Sequence, residues 1–110
     1  MSRPAEERLR DILGACNAIA SYIDREPIDN EMRFDAIRMR LVEIGEAVKD
    51  LSDELRATEP DIPWLDIARM RDYLAHHYFD TAHSIVRATA TNDVPLLSAA
   101  VMRMCERLRS

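Results

Sequence analysis

Glycine is nearly missing from this chain, with two residues in 110. A β-sandwich built on tight turns needs far more, so the scarcity points to long helices with short connections. Lysine is rarer still: Lys49 is the one lysine among fifteen basic residues. Codon usage accounts for such a bias, although arginine and lysine differ most where phosphate or carboxylate is bound. Cys16 and Cys105 are the only cysteines. They are too far apart for a metal-site spacing and fall on apolar faces of predicted helices, as reduced core thiols of a cytosolic protein do. No apolar run reaches the length of a membrane span, and the start MSRPAEERLR lacks the apolar stretch of a signal peptide. A cytoplasmic location with no membrane association is the expectation. There is no internal repeat and no low-complexity segment.

What is present suits one globular domain over residues 1–110, since 47% of residues are apolar and 32% charged. The net charge of −5 argues against a bulk nucleic-acid binder, whose surface must be basic, but leaves room for a local basic cleft.

Apolar residues recur at steps of three and four, which predicts an all-α bundle of four to five helices. The first runs from Pro4 to about Asp24 on a stripe of Leu9, Ile12, Leu13, Cys16, Ile19, Ala20 and Ile23, and Glu26-Pro27 ends it. The second runs from about Asn30 to Leu51, with Phe34, Ile37, Leu41, Ile44, Val48 and Leu51 inward and Glu31, Asp35, Arg38, Glu46, Lys49 and Asp50 on a solvated face. A short helix at Asp53–Ala57 and the stiff stretch Glu59-Pro60-Asp61-Ile62-Pro63 follow. The third long helix starts at Pro63 or Trp64 and runs to about His77 on Trp64, Ile67, Met70 and Leu74, with Tyr78 a candidate for the same stripe. A fourth, Thr81–Ala90, turns Ala82, Ile85, Val86 and Thr89 inward. Asn92-Asp93 then caps a fifth, from Pro95 to Leu108, on Leu96, Leu97, Ala100, Val101, Met104 and Leu108.

Titratable and phosphate-binding groups concentrate in one stretch, residues 69–80, which reads RMRDYLAHHYFD. Cleavage of RNA without a metal needs a base for the ribose 2′-hydroxyl, an acid for the departing 5′-oxygen and a cation for the phosphorane oxygens. Histidine suits the first two near neutral pH and arginine the third. His76 and Arg71 supply one of each. Residues five apart on a regular helix differ by roughly 140° around its axis, so these two diverge. Either the helix unwinds near His76 or a second subunit completes the site.

The pattern Arg71-x4-His76-x-Tyr78 resembles the motif of the HepT branch of HEPN ribonucleases. Three further segments match that family in order and spacing. They are Arg40-Leu41-x-Glu43-Ile44-Gly45-Glu46-Ala47, Pro63-Trp64-x-x-Ile67 and Asn92-Asp93-Val94-Pro95. The resemblance covers about residues 6–108. It implies a HEPN-type up-and-down bundle that forms a homodimer. It also implies a metal-independent endoribonuclease toxin, with no cofactor, of a type VII toxin–antitoxin pair of the MntA–HepT kind. Arg71 and His76 would be catalytic at a dimer-interface site acting on RNA. A cognate minimal nucleotidyltransferase, the MntA-like antitoxin, would silence the toxin by attaching AMP to Tyr78. Three positions depart from the family: Asp72 stands where Asn is usual, and Ala82 and Arg87 replace an acidic cap and a Trp.

Asp72, Glu43 and His77 are expected to support the site, with Glu43 bracing the motif from inside and Glu46 nearer the surface. Each motif residue also has a structural reading: His76 as a helix-end histidine on terminal carbonyls, Arg71 as a partner of Asp72 or Glu43, and Tyr78 as a core tyrosine. His76, His77 and His83 do not have the spacing of a helix-borne zinc site, so no metal is expected. The alternative function is a catalytically idle HEPN module that docks the nucleotidyltransferase, which the acidic balance and Asp72 favour. A purely structural dimer has no specific support.

Overall fold

The computed structural model describes residues 3–25, 31–77 and 83–109. Its helices are α1 (Arg3–Arg25), α2 (Glu31–Lys49), α3 (Asp53–Arg56), α4 (Trp64–His76), α5 (His83–Ala88) and α6 (Val94–Arg109), with a π-helical turn (Thr89–Asp93) between the last two. No strand occurs among the described residues, so the all-α expectation holds.

α2 is the central element. It packs against α1 on one side and α4 on the other, and α6 closes the bundle against α1. α1 is roughly 34 Å long at 1.5 Å per residue, while residues 26–30 can span at most about 18 Å. A packed α2 must therefore run back along α1, which is the up-and-down arrangement. The heptad-like stripe Phe34, Ile37, Leu41, Ile44 and Val48 is buried throughout. It meets Leu9, Ile12, Cys16 and Ile19 of α1 and Trp64 and Leu74 of α4 in one core. Each fully buried aliphatic side chain contributes about 1.5–3 kcal/mol. Cys16 and Cys105 are free thiols in this core, and burial pushes the Cys16 thiol up to about 12.

The connection after α2 is organised by hydrogen bonds. Ser52 caps α3, its Oγ accepting from the Leu55 N–H at 3.1 Å. The Trp64 indole N–H is shared by the carbonyls of Arg56 (2.9 Å) and Glu59 (3.0 Å). Glu59, buried in this connection, accepts from Arg103 at 2.7 Å and from Arg107 at 2.6 Å. It thereby ties the stretch to α6, and these two guanidiniums hold its carboxyl at about 2.

Three expectations are corrected. Arg38 is not on a solvated face but buried, its guanidinium 4.8 Å from the Phe34 ring centroid and donating to Asp35 at 2.7 Å. The ion pair and the ring compensate its charge while its stem packs as hydrocarbon. Ile85 and Leu96 are exposed, not inward. The helix break at Asn92-Asp93 does not occur. Ala88 and Val94 are both right-handed helical, and the Val94 N–H bonds to the Thr89 carbonyl five residues back. Pro95 would press its ring on the carbonyl four residues earlier in a regular helix, and widening one turn to π geometry accommodates it. The hydroxyls of Thr89 and Thr91 donate to the carbonyls of Ile85 and Arg87, further steadying this turn. Thr81 and Ala82, at the expected start of the fourth helix, lie outside the described residues.

Candidate functional site

The site starts with a close helix approach. Gly45 of α2 faces Arg71 of α4, and a Cβ built on Gly45 would collide with the Arg71 Cβ and come within 3.0 Å of its Cγ and 3.2 Å of its Cα. A hydrogen at this one position lets α4 lie against the α2 backbone. Arg71 then extends along α2 with its stem packed on helix and its guanidinium near the surface.

Four charged groups meet there. Arg71 donates through Nη2 to Glu46 Oε1 at 3.1 Å and through Nη1 to Asp72 Oδ1 at 3.0 Å. Lys49 Nζ donates to the same Asp72 oxygen at 2.8 Å. The hydrogen bond to Asp72, and then the field of Glu46, raise the Arg71 pKa further. The hydrogen bonds from Lys49 and then Arg71 hold the Asp72 carboxyl below its ordinary range. Two cations and two carboxylates leave the cluster formally neutral.

His76 is exposed on the last turn of α4. Its Nδ1 lies 2.7 Å from the backbone carbonyl of Asp72. A carbonyl only accepts, so Nδ1 carries the proton and a neutral ring keeps its lone pair on Nε2, as a general base requires. Asp72 therefore touches both motif residues, Arg71 through its carboxylate and His76 through its main chain. α4 stays helical through His76, and the His77 N–H closes the last turn on the Tyr73 carbonyl at 2.8 Å. The helix therefore does not unwind near His76.

His77 stacks on Tyr73, ring centroids 4.6 Å apart. Tyr78 lies outside the described residues. Glu43, expected to brace the motif from inside, is instead half-exposed and paired with Arg40 at 3.0 Å. It lines a groove of about 810 Å³ between α1 and α2 together with Arg8, Asp11, Gly14 and Glu46. The bracing carboxylate is Glu46, one turn further on. Lys49 was also missed as a site residue. The available signal was that Glu46 and Lys49, three apart, share a helix face.

The family described as HepT-like, "Ribonuclease HepT-like", matches residues 9–104. This chain belongs to the HepT-like ribonuclease family. A Thermococcus cleftensis chain named probable ribonuclease HepT is 33% identical over 102 residues, covering 88% of this chain and 92% of that one. Two provisionally named RNases of Methanocaldococcus jannaschii are similar as well. One is 30% identical over 103 residues, covering 90% of this chain and 94% of its own length. The other is 38% identical over 76 residues, 60% of this chain and 63% of its own. No solved structure matches the chain. Among the described residues no helix is long and apolar enough to cross a membrane.

Proposed function

We propose that this HepT-like chain is a metal-independent endoribonuclease toxin acting as a homodimer. His76 Nε2 takes the proton of a ribose 2′-hydroxyl. That oxygen attacks the adjacent phosphorus, and the 5′-oxygen leaves with a proton delivered by a histidine acting as acid. The products are a 2′,3′-cyclic phosphate and a 5′-hydroxyl. Arg71 carries the charge of the phosphorane oxygens. The observation that carries this reading is the placement of His76, an exposed residue whose Nδ1 lies 2.7 Å from the Asp72 carbonyl, so that in the neutral ring Nδ1–H donates there and the lone pair is on Nε2. Arg71 lies against α2 and His76 faces outward, so a twofold partner packed across α4 supplies the second histidine and arginine to a shared cleft.

In this reading a nucleotidyltransferase partner attaches AMP to Tyr78, adding bulk and a negative charge at the cleft. One experiment tests both halves. The chain expressed alone should arrest growth, and His76→Ala and Arg71→Ala should relieve the arrest while remaining folded. Co-expression with the partner enzyme should restore growth and add mass in AMP units, lost in Tyr78→Phe. A folded, equally toxic His76→Ala excludes the nuclease. The idle binding module has one observation in its favour: both Arg71 amino groups already hold carboxylates. A parent chain that is harmless without its partner would support that module.

A further inference from the structure

Lys49 and Asp72 are not used by the mechanism above, yet they sit against its arginine. Lys49 Nζ and Arg71 Nη1 lie 2.8 and 3.0 Å from a single oxygen, Asp72 Oδ1. Two cations from different helices thus flank one anionic oxygen, at the spacing of charge-assisted hydrogen bonds. The helix approach at Gly45 brings Arg71 of α4 to this place beside Lys49 of α2.

We propose that Lys49 is a second phosphate-binding cation of this site, and that the Asp72 carboxylate occupies in the unliganded chain the position a substrate phosphate oxygen takes on binding. The inference rests on the ribonuclease reading and deepens it. The geometry favours exchange over a fixed structural pair. The Lys49 and Asp72 side chains are 39% and 49% exposed, so their pair is worth little to the fold and opens at small cost. A phosphodiester offers two anionic oxygens where Asp72 gives both cations one. Glu46 stays on Arg71 Nη2 and keeps the guanidinium in place. With Asp72 swung out, the remaining Lys49, Arg71 and Glu46 carry one net positive charge, the local basic cleft that an acidic chain needs in order to hold RNA. Asp72 in place cancels it. Asp72 therefore weakens binding and rejects any anion too weak to displace it.

The test uses the full-length chain, a 2′-O-methyl oligoribonucleotide that cannot be cleaved, and its unmodified counterpart. Lys49→Met should bind the 2′-O-methyl strand about tenfold more weakly, the effect of one charge-assisted contact at an open site. Its log K against log salt slope should shrink by about 0.7, one phosphate contact on a single strand. KM should rise more than kcat falls, and Lys49→Arg should restore both slope and KM. Asp72→Asn should bind more tightly than the parent. The double variant Lys49→Met/Asp72→Asn separates the roles. A lysine that only holds Asp72 in place would become dispensable there, whereas a lysine that holds phosphate leaves the salt slope short by the same amount. A parent slope in Lys49→Met, or full recovery of the slope in the double variant, overturns the proposal. Cleavage by the parent and not by His76→Ala shows that such a failure belongs to Lys49 and not to the ribonuclease reading. If the parent neither cleaves nor binds RNA, both fall together.

Discussion

At the scale of single residues, the chain's two glycines make opposite predictions. Gly14 lies in the α1–α2 groove with nothing within 4 Å of an added Cβ. Gly14→Ala should stabilise the chain by about 0.5–1 kcal/mol through helix propensity alone. At Gly45 the same methyl meets the Arg71 stem and backbone. Gly45→Ala must push α4 off α2, costing about 1–3 kcal/mol, and should weaken RNA cleavage more than its stability loss explains. Urea midpoints at constant m, read with cleavage rates at saturating RNA, check both; equal effects at the two glycines would defeat the packing argument. Gly45 was visible in the sequence as part of a motif, but its reason was not, because that reason lies in a residue 26 positions away. The exchange of Glu43 for Glu46 has the same origin. Residues three apart differ by only about 60° around a helix, and which of them meets α4 is decided by where α4 docks. Arg71 and His76 stand out in the sequence because the proposed chemistry restricts residue type.

At the scale of elements, periodicity told most of the story. The stripe of α2 is buried as the three- and four-residue steps predict, since period reports which face must leave water. It failed where a local signal had two physical outcomes. Asn-Asp-Val-Pro usually starts a helix, but here the chain stays helical by widening one turn. Nor could local pattern reveal the clamp on the connection before α4, because Glu59 finds its arginines 44 and 48 residues away. Its carboxyl sits at about 2 in the folded chain, against an ordinary 4.5. A folded-state pKa below the unfolded one means that the contribution is complete above about pH 4.5 and is lost as pH falls towards 2. Glu59→Gln should destabilise the chain by roughly 1–3 kcal/mol at pH 7. It should also flatten the loss of stability between pH 5 and 2.5, with the difference from the parent shrinking as acid is added. A difference independent of pH in denaturant titrations would mean that the glutamate acts by packing and not by charge.

At the scale of the whole molecule, the unanswered demand is a partner for the outward face of α4. Leu65 is 63% exposed and Tyr73 43%, and on the helix they bracket His76 and Arg69. One 13-residue helix is about 20 Å long, and its outward strip alone falls well short of the roughly 800 Å² per partner that a stable interface buries. Leu96 is 66% exposed and extends that surface, because it borders α4 across a groove of about 270 Å³ that Asp66 and Met70 also line. In the proposed dimer a twofold axis through this surface would set each α4 against its copy, so that every contact is made twice. It would also bring two His76 rings to one cleft, one to act as base and the other as acid. The parent should therefore run at twice its 12.6 kDa mass at micromolar concentration. Leu65→Asp should halve that mass with helical content retained, and cleavage should fall with it although no motif residue is touched. Mixing Leu65→Asp with His76→Ala gives no active site if both sides must contribute. A monomeric parent, or a dimer indifferent to Leu65→Asp with full activity, would place the second histidine elsewhere and require the acid to come from within one chain.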